Sequence, residues 1–184
     1  MPERSYAYAC ARISALEKNM LTGEAVRRMA EGTLEDAMRI LSDARYGGVP
    51  NATANDCERM IANERIAAAQ TLRELSPDPA LTDLFLRQTD IHNLKALIKA
   101  RMLGGGEINW QEGGLYARET LTEAVESQQY KALPPKLAEA LERMENRLKA
   151  HFEPQIVSIE CDRGYLAHAL ETAARCKEPF AMQY

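Results

Sequence analysis

Asp90 is the residue whose position in the sequence most needs a chemical explanation. It lies in residues 79–103, the longest strongly periodic stretch of the chain. At roughly 100° per residue, its side chain projects near the centre of the apolar face of a predicted helix, with Asn93 near the edge of that face. A buried carboxylate is costly unless it is paired or hydrogen-bonded. We therefore expect Asp90 to bind a backbone amide, an arginine or a tyrosine hydroxyl of a neighbouring helix.

Two kinds of chemistry are open to such a carboxylate. A structural polar contact is its ordinary use, because buried polar groups are nearly always hydrogen-bonded. A catalytic use requires Asp90 or Glu160 to act with a histidine inside a deep polar pocket. The three histidines lie far apart and none belongs to an HExxH-type pattern. The sequence therefore favours a structural polar role for Asp90 and Asn93 and predicts no catalytic residue.

Metal and cofactor sites are equally unsupported by residue spacing. The four cysteines are scattered, without a CxxC pair, and are expected to be free thiols. Glu160, Cys161, Asp162 and His168 cluster in sequence, but their spacing matches no common metal site. The run Gly104-Gly105-Gly106 lacks the pattern of a phosphate-binding loop and is expected to reverse the chain. We predict no cofactor and no metal.

The composition is that of a helical, water-soluble protein. Of 184 residues, 46% are apolar and 27% charged, and alanine, leucine, glutamate and arginine are abundant, which favours helix over strand. The net charge of -4 argues against nucleic-acid binding through bulk charge. No apolar run approaches the roughly 20 residues that span a bilayer, and the N-terminus has no signal-peptide core. A cytoplasmic protein is expected.

The periodicity predicts eight helices and no strand, an all-α fold of antiparallel helical hairpins and three-helix-bundle units. Prolines at 77 and 79 end one helix and begin the next, so the fourth and fifth helices are expected to pair as a hairpin. We expect one domain, 1–184, with a possible subdivision near 104–114. The predicted helices are 6–21, 24–30, 34–44, 56–75, 79–103, 116–128, 135–152 and 158–175.

The pattern also assigns side chains to inner and outer faces. A threonine followed three residues later by an acid, Thr33 and Asp36, predicts a capping box at the start of the third helix. Glu145 is interpreted as half of a solvated pair with Lys149. The larger apolar residues expected to face inward include Leu34, Phe152, Leu166 and Leu170.

Four ordered segments carry a family resemblance. The first is the opening Tyr6-x-Tyr8-x-x-Ala11-Arg12-Ile13-x-x-Leu16-Glu17, and the second is the helix that contains Leu34 and Leu41 and ends near Tyr46. The third is Asp90-Ile91-His92-Asn93-Leu94-Lys95, and the fourth is Glu160-x-Asp162-Arg163-x-Tyr165-Leu166. They resemble the C subunit of V-type and A-type rotary ATPases, the counterpart of the eukaryotic d subunit. Family members are longer and carry a further Asp-x-x-Asn helix downstream. The chain is accordingly expected to be a truncated form, a fragment or a short divergent homologue.

The resemblance implies a non-catalytic central-stalk subunit that forms a funnel-like socket. Such subunits sit peripherally on the cytoplasmic face of the membrane, receive the central shaft, contact the rotor ring and transmit torque. Fold-supporting polar roles are assigned to Asp90, Asn93, Arg12 and Glu17. Partner contacts are assigned to Tyr46, Trp110 and Arg118. The alternative hypothesis is a helical adaptor or regulatory module that binds another protein in a groove and has no affinity for shaft or ring.

Overall fold

The helices follow the sequence pattern closely. The structure, a computed structural model, describes residues 6–18, 20–49 and 52–176, and these contain helices and no strand, which confirms the all-α prediction. Two short 3₁₀ turns, Tyr46–Gly48 and Ala54–Asp56, precede the fourth helix. The helices are α1 (Tyr6–Glu17), α2 (Gly23–Glu31), α3 (Leu34–Asp43), α4 (Cys57–Leu75), α5 (Pro79–Met102), α6 (Arg118–Ser127), α7 (Pro135–Ala150) and α8 (Pro154–Cys176).

Local side-chain chemistry explains where several of these helices begin. The Thr33 hydroxyl accepts the Asp36 N–H at 3.2 Å while the Asp36 carboxylate accepts the Thr33 N–H at 3.3 Å, so the predicted capping box is confirmed. At α5, the Asp78 carboxylate accepts the Ala80 N–H at 3.1 Å, and Pro79 occupies the first helical position. Proline is favoured there because its missing N–H has no intrahelical partner in the first turn.

The chain divides into two compact units, one ending at Pro77 and the other starting at Asp78. In the first unit, α2 contacts α3, and α4 contacts α1 and the turn Tyr46–Gly48. In the second unit, α8 packs against both α7 and α5, and α6 packs against α5. Residues 104–114 fall inside the second unit. The hairpin of α4 and α5 stays a prediction, as does the single domain.

One hydrophobic core fills the second unit. Its buried members come from all four helices of the unit and from the segment between α6 and α7, and Trp110, Tyr116 and Tyr165 pack against it partly buried. Burial of this kind is the main favourable term in folding. Core residues below 2% exposed are Leu94, Ile98, Leu121, Val125, Tyr130, Leu137, Leu141, Met144, Val157 and Cys161.

The predicted inner face of α8 is wrong at Leu166 and Leu170, whereas Ala173 is buried and Tyr165 is partly buried against the core. Leu166 and Leu170 are 57% and 62% exposed. The face that α8 actually buries includes Glu160 and Gly164, and a pattern of apolar residues does not detect a glutamate or a glycine. Leu34 and Phe152 are also exposed, at 62% and 65%, and Phe152 lies beyond the end of α7.

Candidate functional site

Asp90 is fully buried on α5 and binds the loop that joins α5 to α6. Its Oδ1 accepts the backbone N–H of Leu115 at 3.0 Å and that of Tyr116 at 3.2 Å. Burial raises the pKa of this carboxyl to about 6, although the two backbone hydrogen bonds act in the opposite direction. The bonded partners are therefore backbone amides of a loop rather than groups on a neighbouring helix.

Asn93, one turn further along α5, holds the same loop. Its side-chain amide donates to the Gln111 carbonyl at 2.8 Å and its Oδ1 accepts the Gln111 N–H at 2.9 Å, so a single side chain satisfies both backbone groups. The neighbouring His92 donates from Nε2 to the Asn109 carbonyl at 3.2 Å. The Asp-x-x-Asn spacing thus places two polar side chains where they fix residues 109–116 along α5; we call this arrangement the loop clamp.

Gly114 allows the loop to approach the helix this closely. A Cβ at this position would overlap Oδ1 of Asp90. The loop clamp therefore depends on a glycine in the loop as well as on the polar side chains of α5.

Trp110 and Arg118 meet beside the loop clamp. The Arg118 guanidinium carbon lies 5.5 Å from the centroid of the Trp110 ring, within the range of a cation–π contact. The two residues line an open polar cleft of about 330 Å³, formed by residues 110–114 and 116–119. Trp110 is partly buried against the core, as expected of a residue at a core edge, and Arg118 is exposed. Two of the three predicted contact residues are thus brought together.

The remaining predicted residues lie in the first unit. Tyr46 is partly buried in the 3₁₀ turn before α4, and Arg12 and Glu17 are exposed on α1. Their functional assignments stay predictions.

The second buried carboxylate, Glu145, is not predicted from the sequence. Glu145 is 9% exposed and accepts Arg101 Nη2 on both carboxylate oxygens, at 2.7 and 2.8 Å, as well as the Tyr130 hydroxyl. Arg101 also donates to the Val125 carbonyl. The solvated pair with Lys149 was therefore wrong. The signal was available, because Glu145 follows the core residue Leu141 by four positions and shares its helix face.

Glu160 is the third buried carboxylate, at 1% exposure on α8. Arg147 and Arg163 donate to its Oε1 at 2.7 and 2.9 Å, and Arg143 lies 3.6 Å from its Oε2. The pairs with Arg143 and Arg147 connect α7 to α8. Glu160 thus makes structural ion pairs with three arginines, although its buried Oε2 accepts no hydrogen bond.

Two of the four segments that carry the family resemblance, 90–95 and 160–166, touch each other. Lys95 pairs with Asp162 at 2.5 Å, and Tyr165 donates its hydroxyl to the Leu84 carbonyl at 3.2 Å. Lys99 donates to Ser158 at 3.0 Å. Lys95 and Lys99 of α5 therefore bind α8.

The described residues contain no cluster of His, Cys, Asp and Glu that could hold a metal ion. Cys161 is fully buried, and burial raises the pKa of its thiol to about 12, so it remains protonated at neutral pH. In the same part of the chain, no helix is both long enough and apolar enough to cross a bilayer.

Comparison with known proteins identifies the family. Residues 9–183 match the family described as ATP synthase (C/AC39) subunit, and the chain belongs to that family, which confirms the resemblance seen in the four sequence segments. It is 27% identical over 112 residues to the C subunit of the V-type sodium ATPase of Enterococcus hirae, a match that covers 60% of this chain and 34% of that protein.

A second relative is the C subunit of the A-type ATP synthase of Methanocaldococcus jannaschii, 31% identical over 109 residues, with 54% of this chain and 27% of that protein covered. The matched part of the chain thus spans 27% to 34% of the length of these two curated relatives. No solved structure gives a significant match.

Proposed function

We propose that this chain is a non-catalytic central-stalk subunit of a V/A-type rotary ATPase, linking the central shaft to the membrane rotor ring and transmitting torque. The observation that carries the proposal is membership of the C/AC39 family over residues 9–183. Both relatives described above are named as the C subunit of a V-type or A-type enzyme. The chain then takes part in ion transport without performing the hydrolysis or synthesis of ATP itself.

The packing of the second unit suits the transmission of force. Glu145 connects α7 to α5 through Arg101, Glu160 connects α7 to α8, and the loop clamp fixes the connection between α5 and α6. Densely packed helices joined by buried polar contacts resist deformation. A body that resists deformation passes torque on with little loss.

The polar groups that could do chemistry are occupied by structural bonds. Asp90 accepts two backbone N–H groups and Glu160 is paired with arginines. This supports a non-enzymatic role, with attachment to the membrane complex through protein contacts. The cleft of Trp110 and Arg118, next to the loop clamp, is the proposed partner contact in the second unit, and Tyr46 is proposed in the first.

The test is a pull-down of the purified chain with isolated shaft subunits and, separately, with a detergent-solubilised rotor ring from a matching complex. The salt concentration is set high enough to suppress contacts made by charge alone. We expect specific binding to at least one of the two. Arg118→Glu should weaken it, while Lys136→Glu, an exposed charge reversal elsewhere in the same unit, should leave it unchanged.

The proposal would be contradicted if the chain bound neither the shaft subunits nor the rotor ring under conditions in which a longer family member binds both. The adaptor hypothesis would then take its place. Equal weakening by Arg118→Glu and Lys136→Glu would remove the cleft from the contact while leaving the role of the chain intact.

A further inference from the structure

Three large apolar side chains lie on the exposed side of α8. Ile159, Leu166 and Leu170 are 42%, 57% and 62% exposed. Separations of seven and four residues align them along one face of a helix, over a length of roughly 16 Å. We call these three residues the α8 stripe. An aligned row of exposed apolar residues is typical of an interaction surface rather than of scattered surface leucines.

A basic border runs along the α7 side of the stripe. Arg163 of α8 and Arg143 and Arg147 of α7 converge on the single carboxylate of Glu160, and their side chains stay 58%, 50% and 49% exposed. Glu160 is 1% exposed, so three guanidinium groups face solvent above one buried negative charge. The border therefore keeps a net positive charge and unused N–H donors that can reach an incoming carboxylate.

The α5 side of the stripe has a different charge. There Asp162 is paired with Lys95 at 2.5 Å, and the two charges cancel. The α8 stripe thus has one positive and one neutral border. This asymmetry specifies both the chemistry and the orientation of an occupant.

We propose that the α8 stripe docks an amphipathic helix of a partner protein, with acidic residues along the edge that faces Arg143, Arg147 and Arg163. An apolar row on the incoming helix would pack on Ile159, Leu166 and Leu170, as in helix-in-groove recognition. The proposal does not depend on the rotary role, because it follows from the surface of α8 alone.

Charge argues against two other occupants. A second copy packed antiparallel about a two-fold axis sets the arginine border against itself, which brings like charges together. An anionic lipid surface attracts the arginines but gains no attraction from the neutral border formed by Asp162 and Lys95. An acidic helix satisfies the arginine border and can leave the neutral border untouched.

The experiment uses the purified full chain and two synthetic helical peptides of about 20 residues, long enough to hold a helix. Both carry the same leucine row; one has glutamates along one edge and the other has lysines at those positions. Binding is measured by fluorescence anisotropy at low salt. We expect the glutamate peptide to bind at least about tenfold more tightly than the lysine peptide.

Variants then locate the bound peptide. Leu166→Ser with Leu170→Ser should weaken binding of the glutamate peptide by about tenfold or more. Arg143→Gln should reduce the preference for glutamate, and it leaves the closer Arg147 and Arg163 pairs to Glu160 in place. Phe85→Ser removes an apolar side chain of similar exposure, 59%, from α5 and should change nothing.

The proposal would be overturned if the two peptides bound equally well or if neither bound. It would also be overturned if the glutamate peptide bound unchanged to the double leucine variant. Light scattering that shows dimers of the chain, lost in the double leucine variant, would assign the stripe to a second copy. Retention on anionic vesicles without discrimination between the peptides would assign it to a lipid surface.

Discussion

The two units hold a loop to a helix with the same chemistry but in different surroundings. In the first unit, Glu64 of α4 accepts the Gly47 N–H at 2.7 Å and Asn63 donates to the Gly47 carbonyl at 2.8 Å. In the second unit, Asp90 and Asn93 of α5 bind the loop backbone in the same manner. Each site combines an acid and an asparagine with the backbone groups of a loop.

Burial separates the two sites. Asp90 and Asn93 are 0% and 1% exposed, whereas Asn63 is exposed and Glu64 is only partly buried. Where water can replace a lost partner, a hydrogen bond contributes little net free energy; where it cannot, the group left behind keeps its full desolvation cost. We therefore expect hydrogen bonds of the same kind to contribute more to the free energy of unfolding in the second unit than in the first.

The surrounding apolar residues differ in the same direction. Within the described part of the first unit, Ala9 and Met60 are the buried apolar residues, while Tyr6, Ile13, Met20 and Leu34 are among the exposed ones. The second unit contains the hydrophobic core. We therefore expect amide hydrogen exchange to be slower in the second unit than in the first.

Gly114→Ala should have the largest effect, because its Cβ would overlap Oδ1 of Asp90 and force the loop away from α5. We expect a loss of about 3 kcal/mol in the free energy of unfolding, measured by urea denaturation. Gly23→Ala in the first unit is the matched control, since a Cβ there meets nothing within 4 Å. Equal effects of the two substitutions would contradict the close approach of loop and helix.

Asp90→Ala should cost about 2 kcal/mol, because the N–H groups of the half-buried Leu115 and Tyr116 lose an acceptor that is itself fully buried. Glu64→Ala, which removes the corresponding acceptor in the first unit, should cost less than about 1 kcal/mol. An unchanged melting temperature of the Asp90→Ala protein would defeat the fold-supporting role of Asp90.

The pH dependence tests the burial of Asp90 directly. Its pKa is raised from 3.8 to about 6 on folding, so between these values the folded chain binds more protons than the unfolded chain. The contribution of Asp90 to stability therefore increases as the pH falls through 6 towards 3.8. Relative to Asp90→Asn, the wild type should gain about 1 kcal/mol between about pH 7 and pH 5. A difference between the two proteins that does not vary with pH would show that the carboxyl is solvated.

The smallest effect is expected from Asn63→Ala, at about 0.5 kcal/mol, because the Asn63 side chain is exposed and its hydrogen bond to the Gly47 carbonyl competes with water. Asn93→Ala is its counterpart in the second unit and should cost clearly more, since both backbone groups of Gln111 lose their side-chain partner. The measurement is the melting temperature of the two variants under the same conditions. If Asn63→Ala lowers it more than Asn93→Ala does, burial of the side chain does not determine how much these hydrogen bonds stabilise the fold.

The sequence predicted local features well. The capping box of Thr33 and Asp36 could be predicted because both residues lie within one turn, and the restart at Pro79 because proline acts on its own backbone. Asp90 was placed on a buried face because its neighbours on α5 are apolar. Each of these inferences needs only residues near one another in the chain.

Features that depend on distant residues were not predicted. The partner of Glu145 is 44 positions away, at Arg101, and the burial of Glu160 on α8 depends on arginines of α7 that neutralise its charge. The loop that binds Asp90 lies well beyond the end of its own helix. Hydrophobicity patterns describe a single helix, whereas these contacts are set by which helices become neighbours.

The loop clamp also determines where the chain tolerates a change in length. Gly104, Gly105 and Gly106 have φ angles of 80°, 113° and 141°, and a Cβ on any of them meets nothing within 4 Å. Extra residues inserted there would add only a small loop-closure entropy. Between Asn109 and Tyr116 a single insertion would change the spacing of the backbone groups that bind His92, Asn93 and Asp90, so that they could not all keep their partners on α5. Across homologues, variation in loop length is therefore expected to accumulate at the glycines and to be absent a few residues later.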